Sequence, residues 1–179
     1  APVCYYYMRP GGKTNILPDT AGALEKTAIK STDIIPNTVS DGKIEAEKMA
    51  FHNSCGNKRG SMSINPFADL PLSGNLQVMW NDGTPGDTIF FSFVSPSEGY
   101  FRLTGHFTSG PGFGSFSANL NENQLSGDLS LFAAKRGNKV IRFDKVYIKE
   151  GVNTISFIIK KNGRDSHLFG LDRIDLSHE

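Results

Sequence analysis

Between Thr88 and Ser92 the chain sets Ile89 and Phe91, continued by Phe93, against Thr88, Phe90 and Ser92. That period of two is what a strand with one buried face shows. The run Tyr-Phe-Arg-Leu-Thr-Gly-His-Phe from Tyr100 to Phe107 is again rich in strand formers, and Ser-Pro-Ser-Glu-Gly separates the two. Upstream, Thr84-Pro85-Gly86-Asp87 is a reversal that delivers the chain into the first run. The stretch Leu76 to Phe107 therefore reads as two long strands joined in a hairpin. A hairpin this apolar requires a second sheet to cover it.

The rest of the chain follows the same pattern. Lys43 to Met49 reads as a first strand, with Ile44, Ala46 and Lys48 on one face and Glu45 and Glu47 on the other. Phe51 to Leu72 is rich in Gly, Asn and Ser and reads as a long loop. Further strands are expected over Phe113–Leu120, Leu129–Phe132, Lys139–Lys149, Val152–Lys160 and His167–Leu176, with a tight reversal at Asn121-Glu122-Asn123. Eight or nine short strands at near-regular spacing predict an all-β fold, an antiparallel two-sheet β-sandwich. Nineteen glycines and nine prolines suit the many turns this needs.

Residues 1–40 differ in character, and the expected division is an N-terminal strand and linker over 1–40, packed on a sandwich over 41–179. Tyr5 to Tyr7 look too apolar for a free tail, and Asp19 would cap a short helix if 19–30 is helical rather than extended. Cys4 and Cys55 are the only cysteines. Bridged, they would close a loop worth about 4 kcal/mol on the chain-entropy estimate; two separate buried thiols are the favoured reading.

Nineteen basic and eighteen acidic residues give a formal charge of +1, which argues against a nucleic-acid partner, since that rests on neutralising many phosphates. No apolar run is long enough to cross a bilayer, so no membrane insertion is expected. The four histidines are scattered without metal-ligand spacing, and no nucleophile or zinc motif is present. Most carboxylates fall in turns. The chain is therefore not expected to be an enzyme as it stands.

Two features point to binding. A sandwich that holds sugar needs rings to stack on the saccharide and a few polar groups. Trp80, with Asn81 and Asp82 after it, and then Tyr100 and Phe113, are the candidates. A core role for Trp80 and a turn-closing role for Tyr100 are the competing readings. The basic set Lys135, Arg136, Lys139, Arg142 and Lys145 would suit an acidic glycan, or simply form a solvated face. The second feature is acidic. Asp172 sits in the apolar run Gly-Leu-Asp-Arg-Ile-Asp-Leu, and a buried carboxylate needs a cation, amide donors or solvent. If first and last strands lie side by side, Glu45, Glu47 and Asp172 would surround a calcium ion; bonding of Asp172 to loop amides or a basic side chain without metal is favoured.

The order Ile44-Glu-Ala-Glu47, Met79-Trp-Asn-Asp-Gly-Thr-Pro-Gly-Asp87, Gly99-Tyr100, Gly151…Asn153-Thr154 and Phe169-Gly-Leu-Asp172 resembles the C-terminal β-sandwich accessory module of glycoside hydrolase family 172 proteins, formerly domain-of-unknown-function family 2961. That module is similar to carbohydrate-binding module families 6 and 35, and the likeness runs from about Lys43 to Leu176. The opening Tyr-Tyr-Tyr-Met-Arg-Pro-Gly-Gly resembles the end of that family's catalytic region, without its acid/base residues. The resemblance implies a galactose-binding-like jelly roll, a structural calcium at the Glu-x-Glu strand and late Asp, and a secreted or periplasmic bacterial setting. This chain departs from the pattern at Gly112-Phe113-Gly114, Ser130 and Arg173, where the family favours Asp-Tyr-Gly, Asp and Tyr.

The expected function is a non-catalytic, carbohydrate-binding-like accessory module of a secreted glycan-degrading protein, with a saccharide or the parent catalytic domain as partner. The alternative is a structural or oligomerisation module that supports a neighbouring hydrolase domain without binding sugar.

Overall fold

The computed structural model describes residues 4–5, 36–54, 62–65, 69–81, 83–160 and 167–178. Asp82, Cys55 and the expected helix or linker at 19–30 lie outside them, as do the side chains of Cys4 and Tyr5. The described residues form two antiparallel sheets facing each other. The first has six strands in the order β1 (Cys4–Tyr5), β3 (Ala50–Asn53), β6 (Thr88–Ser95), β11 (Gly151–Lys160), β8 (Ser115–Leu120) and β9 (Asn123–Ser130). The second runs β10 (Gly137–Ile148), β7 (Gly99–Ser109), β12 (Phe169–His178), β5 (Gln77–Trp80) and β4 (Met62–Asn65), with β2 (Lys43–Glu45) also paired to β12. The chain is thus an all-β sandwich, and its first long-sheet strand does lie beside its last.

The hairpin expected around Ser95–Gly99 does not form. β6 and β7 belong to opposite sheets, and Pro96–Glu98 carries the chain across the edge, helped by Ser95 Oγ donating to the Ser97 carbonyl at 2.7 Å. Each strand already has two partners, β3 and β11 for β6, β10 and β12 for β7. In a hairpin their apolar faces would lie side by side. Here Ile89, Phe91 and Phe93 look across the core at Phe101, Leu103 and Phe107. The turn at Glu150 between β10 and β11 crosses between sheets in the same way.

Three other expectations are corrected. The strand expected over Leu129–Phe132 lies earlier, as β9 from Asn123 to Ser130, and Phe132 stands beyond it in an isolated bridge to Gly110. Only Lys43–Glu45 of the Lys43–Met49 run is strand, and Ala46–Lys48 forms a 3₁₀ turn. The stretch 51–72 read as loop contains the end of β3 and all of β4. Phe51 of β3 is buried against Phe91, so a strand survives in polar surroundings because its partner strand supplies both hydrogen bonds and a ring.

The core is aromatic. Phe169 lies within 4.9–6.0 Å, centroid to centroid, of Phe91, Phe107, Phe116 and Phe157, and its contacts to Phe107 and Phe116 are edge-on. Such pairs add about 0.5–1.5 kcal/mol each to simple burial. Among the described residues, no helix is long and apolar enough to cross a membrane.

Candidate functional site

β6 sends Ile89, Phe91 and Phe93 inward, so Thr88, Phe90 and Ser92 must face out. β11 does the same with Thr154, Ser156 and Ile158. Register aligns these into rows across the sheet. His52 on β3 stands opposite Phe90, Phe90 opposite Ser156, and Ser156 opposite Asn119 on β8. The next row places Ser92 beside Thr154, with their hydroxyls 2.8 Å apart. The His52 ring stacks on Phe90, with centroids 4.7 Å apart and planes 14° from parallel. Burial holds the His52 imidazole below its ordinary pKa, so the stacked ring is neutral near pH 7.

While His52 backs the Phe90 ring from outside the lining, Phe90, Asn119, Thr154 and Ser156 of these rows line an open hollow of about 770 Å³, together with Asn121, Glu122 and Lys149. Its chemistry is one aromatic ring, hydroxyls and carboxamides. Glu122 is the only carboxylate among the described residues that line it, and glycoside hydrolysis by the usual route needs two. The arrangement is suited to holding a polar ligand with apolar faces.

The aromatic residues singled out in the sequence do not share this site. Trp80 is 1% exposed and Phe113 2% exposed, so neither ring can receive a sugar. Trp80 ends a strand buried on both faces, wedged so closely that a Cβ on Gly83 would stand 2.7 Å from its ring. Phe113 is drawn inward by a turn in which its N–H donates to the Gly110 carbonyl and by a bridge to Leu168. Asn81 is half-buried beside Trp80. Tyr100 is 61% exposed but stands on the other sheet. The sequence reading did not single out Phe90, which lines this hollow, or His52, which stacks on it. A phenylalanine on the polar face of an alternating strand was the available signal.

Of the basic set, Arg136 pairs with Asp69 at 3.3 Å and Lys139 reaches the Ser130 carbonyl. These contacts give two of the five local partners, while Arg142 and Lys145 line one hollow beside Tyr100 and Tyr147.

The acidic residues do come together, though by a route other than strand alternation. The 3₁₀ turn carries Glu47, β2 ends at Glu45, and β12 brings Asp172, which is 4% exposed. Ser73 ties two of them, its hydroxyl donating to Glu45 Oε1 at 2.6 Å and its N–H to Asp172 Oδ1 at 2.9 Å. Burial, reinforced by the charges of Glu45 and Asp172, raises Glu47 to about 7. Burial raises Asp172 to about 6, against the opposing pull of the Ser73 N–H and Arg173. Glu45 Oε2 and Glu47 Oε2 are buried without a hydrogen-bond partner. An oxygen-binding cation suits such orphaned acceptors. Yet no three His, Cys, Asp or Glu side chains among the described residues are arranged to hold a metal alone, so backbone carbonyls would have to complete the shell. Arg173 stands 3.6 Å from Asp172 and partly neutralises it.

No family model matches the sequence, and no curated protein matches it. Solved structures do match in shape. The Paenibacillus xanthan lyase superposes with a TM-score of 0.62 at 14% identity, over 80% of this chain and 14% of that one. The Paenibacillus sp. cycloisomaltooligosaccharide glucanotransferase complexed with cycloisomaltoheptaose gives 0.52 at 20% identity, over 75% and 18%. The Podospora anserina GH26-CBM35 β-(1,4)-mannanase gives 0.52 at 16% identity, over 78% and 28%. The chain thus spans from about a seventh to just over a quarter of these three solved chains. At these identities the likeness establishes the fold alone, a two-sheet β-sandwich.

Proposed function

We propose that this chain is a non-catalytic, carbohydrate-binding-like accessory module, and that its saccharide lies in the hollow on the outer face of the first sheet. The observation that carries the reading is the stacked His52–Phe90 pair set among Ser156, Thr154, Asn119 and Asn121. A pyranose has an apolar face that covers an aromatic ring and a rim of hydroxyls that both donate and accept. Ser, Thr and Asn side chains match that rim because each can also do both. The size of the hollow falls in the range usual for small-ligand sites.

Membership in the glycoside hydrolase family 172 accessory group, attachment to a secreted or periplasmic glycan-degrading protein, and docking on its catalytic domain go with this reading. They are supported by the sequence resemblance and by the carbohydrate-active names of the matched structures. A structural calcium at Glu45, Glu47 and Asp172 belongs to the same proposal, supported by the two orphaned carboxylate oxygens.

The test is calorimetric titration with plant and bacterial glycans, comparing the native domain with Phe90→Ala. Heat with the native domain and little with the variant is expected. No heat from any glycan would remove the saccharide reading.

A further inference from the structure

The turn between β8 and β9 is a crest shared by the hollow on the first sheet and a second hollow, with successive residues lining each. The β8–β9 turn places Asn121 and Glu122 at φ of 47° and 71°. Few non-glycine residues adopt this conformation, and it persists only where surroundings enforce it. They do so here through Asn121. Its amide donates to Asn153 Oδ1 at 2.7 Å, its carbonyl oxygen accepts the Thr154 N–H at 3.0 Å, and its own N–H donates to the Thr154 carbonyl at 2.9 Å.

Asn121 and Glu122 line the first hollow, while the next two residues, Asn123 and Gln124, line the second, of about 440 Å³. β10 and the turn after it divide in the same way, Tyr147 facing the second hollow and Lys149 the first. Opposite Asn123 stand Tyr100 and Tyr147, 61% and 51% exposed, their rings 5.5 Å apart at 62°. The Tyr147 hydroxyl donates to Glu98 Oε2 at 3.1 Å, which fixes its ring. That bond raises the phenol's pKa, so it stays a neutral donor. Asp144 in this hollow is already held by Arg102 at 2.6 Å. Arg142, also in the hollow, is paired through its backbone with Thr104, and its side chain makes no ion pair among the described residues.

We propose that the Tyr100–Tyr147 hollow is a second saccharide subsite, continuous with the first, so that one glycan chain lies along Phe90, crosses the Asn121–Glu122 crest and ends against the two tyrosines. This rests on the saccharide reading of the first hollow. The two rings form one edge-on pair beside Asn123, Gln124 and Arg142, and Leu120, Phe143 and Val146 of the same lining are buried or nearly so, which leaves an aromatic pair with polar neighbours and favours a sugar over a protein face. Arg142 supplies donors for ring hydroxyls. Once a chain occupies the first hollow, contact with the second is intramolecular, so affinity must climb with chain length.

The experiment has two stages. Affinity electrophoresis against galactomannan, xylan, dextran and polygalacturonate selects a polymer, and its partial hydrolysates are then titrated by increasing length. The native domain is expected to gain roughly tenfold in affinity once the oligosaccharide spans the crest. The double variant Tyr100→Ala, Tyr147→Ala should bind short oligosaccharides as the native domain does but lose the gain. Tyr100→Phe, Tyr147→Phe should keep most of it, since the rings remain. Native length dependence in the alanine variant would overturn the proposal and leave the first hollow standing. So would sedimentation showing that the alanine variant merely separates a dimer. Absence of binding at every length would sink both readings together.

Discussion

The imidazole of His52 lies flat against the ring of Phe90, one strand away on the solvent face of the first sheet. The pair is a platform whose two halves come from strands far apart in sequence. Removing Phe90 takes away the stacking surface but little of the core, because Phe90 is only half-buried. Phe90→Ala should weaken saccharide binding by roughly tenfold or more, about 1.4 kcal/mol, while the melting temperature changes little. His52→Ala should weaken it less. Titration calorimetry and thermal melting check both.

Trp80 makes the opposite prediction. It is the sole tryptophan and its indole is enclosed by the core, with Nε1 lacking a hydrogen-bond partner among the described residues. Its fluorescence should peak at short wavelength, resist quenching by acrylamide and stay unchanged on addition of glycan. A red-shifted, readily quenched emission that responds to sugar would return Trp80 to the binding surface.

The sandwich was legible because strand alternation and turn residues are local. Sheet assignment was not. Nothing in Pro96–Glu98 distinguishes a hairpin from a crossing, since the choice depends on which strands compete as partners for β6 and β7. The acidic group was legible from Glu45, Glu47 and Asp172 because burying a carboxylate beside apolar neighbours is costly wherever it happens. The burial of two candidate rings was not legible for a related reason. Trp80 and Phe113 next to loops look available, but exposure is decided by what the opposite sheet covers, and that is a non-local property.

Glu47 and Asp172 set the pH dependence of stability. Their folded pKa values, about 7 and about 6, lie above the ordinary 4.5 and 3.8. The fold therefore holds these protons more tightly than the unfolded chain does. The resulting stabilisation is full below about pH 4 and is lost as pH rises through 6 and 7. His52 runs the other way, since burial favours its neutral form and acid destabilises it. In the presence of a chelator, the melting temperature should fall between about pH 5 and pH 8, and Glu47→Gln should flatten that slope. An unchanged slope in the variant would mean that Glu47 is ionised and solvated in the fold.

Phe169 joins the two halves of the aromatic core, touching rings from both sheets. Phe169→Ala removes a fully buried ring and leaves a cavity whose walls are rigid strands, so a loss of about 3–5 kcal/mol is expected. Urea unfolding monitored by circular dichroism measures it. A loss below about 1 kcal/mol would show that the neighbouring phenylalanines collapse into the space.

Calcium should reverse the pH trend. At about pH 8 both carboxylates ionise, their mutual repulsion is greatest and Glu45 Oε2 and Glu47 Oε2 lack donors, so a divalent cation has most to gain. Adding calcium there should raise the melting temperature by several degrees, and magnesium by less, because the smaller ion demands stricter geometry. At about pH 5 protons compete for the same oxygens and the increment should shrink. Asp172→Asn should abolish it at both. Arg173 supplies a positive charge 3.6 Å from Asp172 and so competes with the ion, which makes Arg173→Tyr the more telling variant. It should bind calcium more tightly than the native chain and melt lower without it. Equal melting temperatures with calcium and with chelator, in the native chain and in Arg173→Tyr, would mean that Ser73 and protons alone hold these carboxylates together.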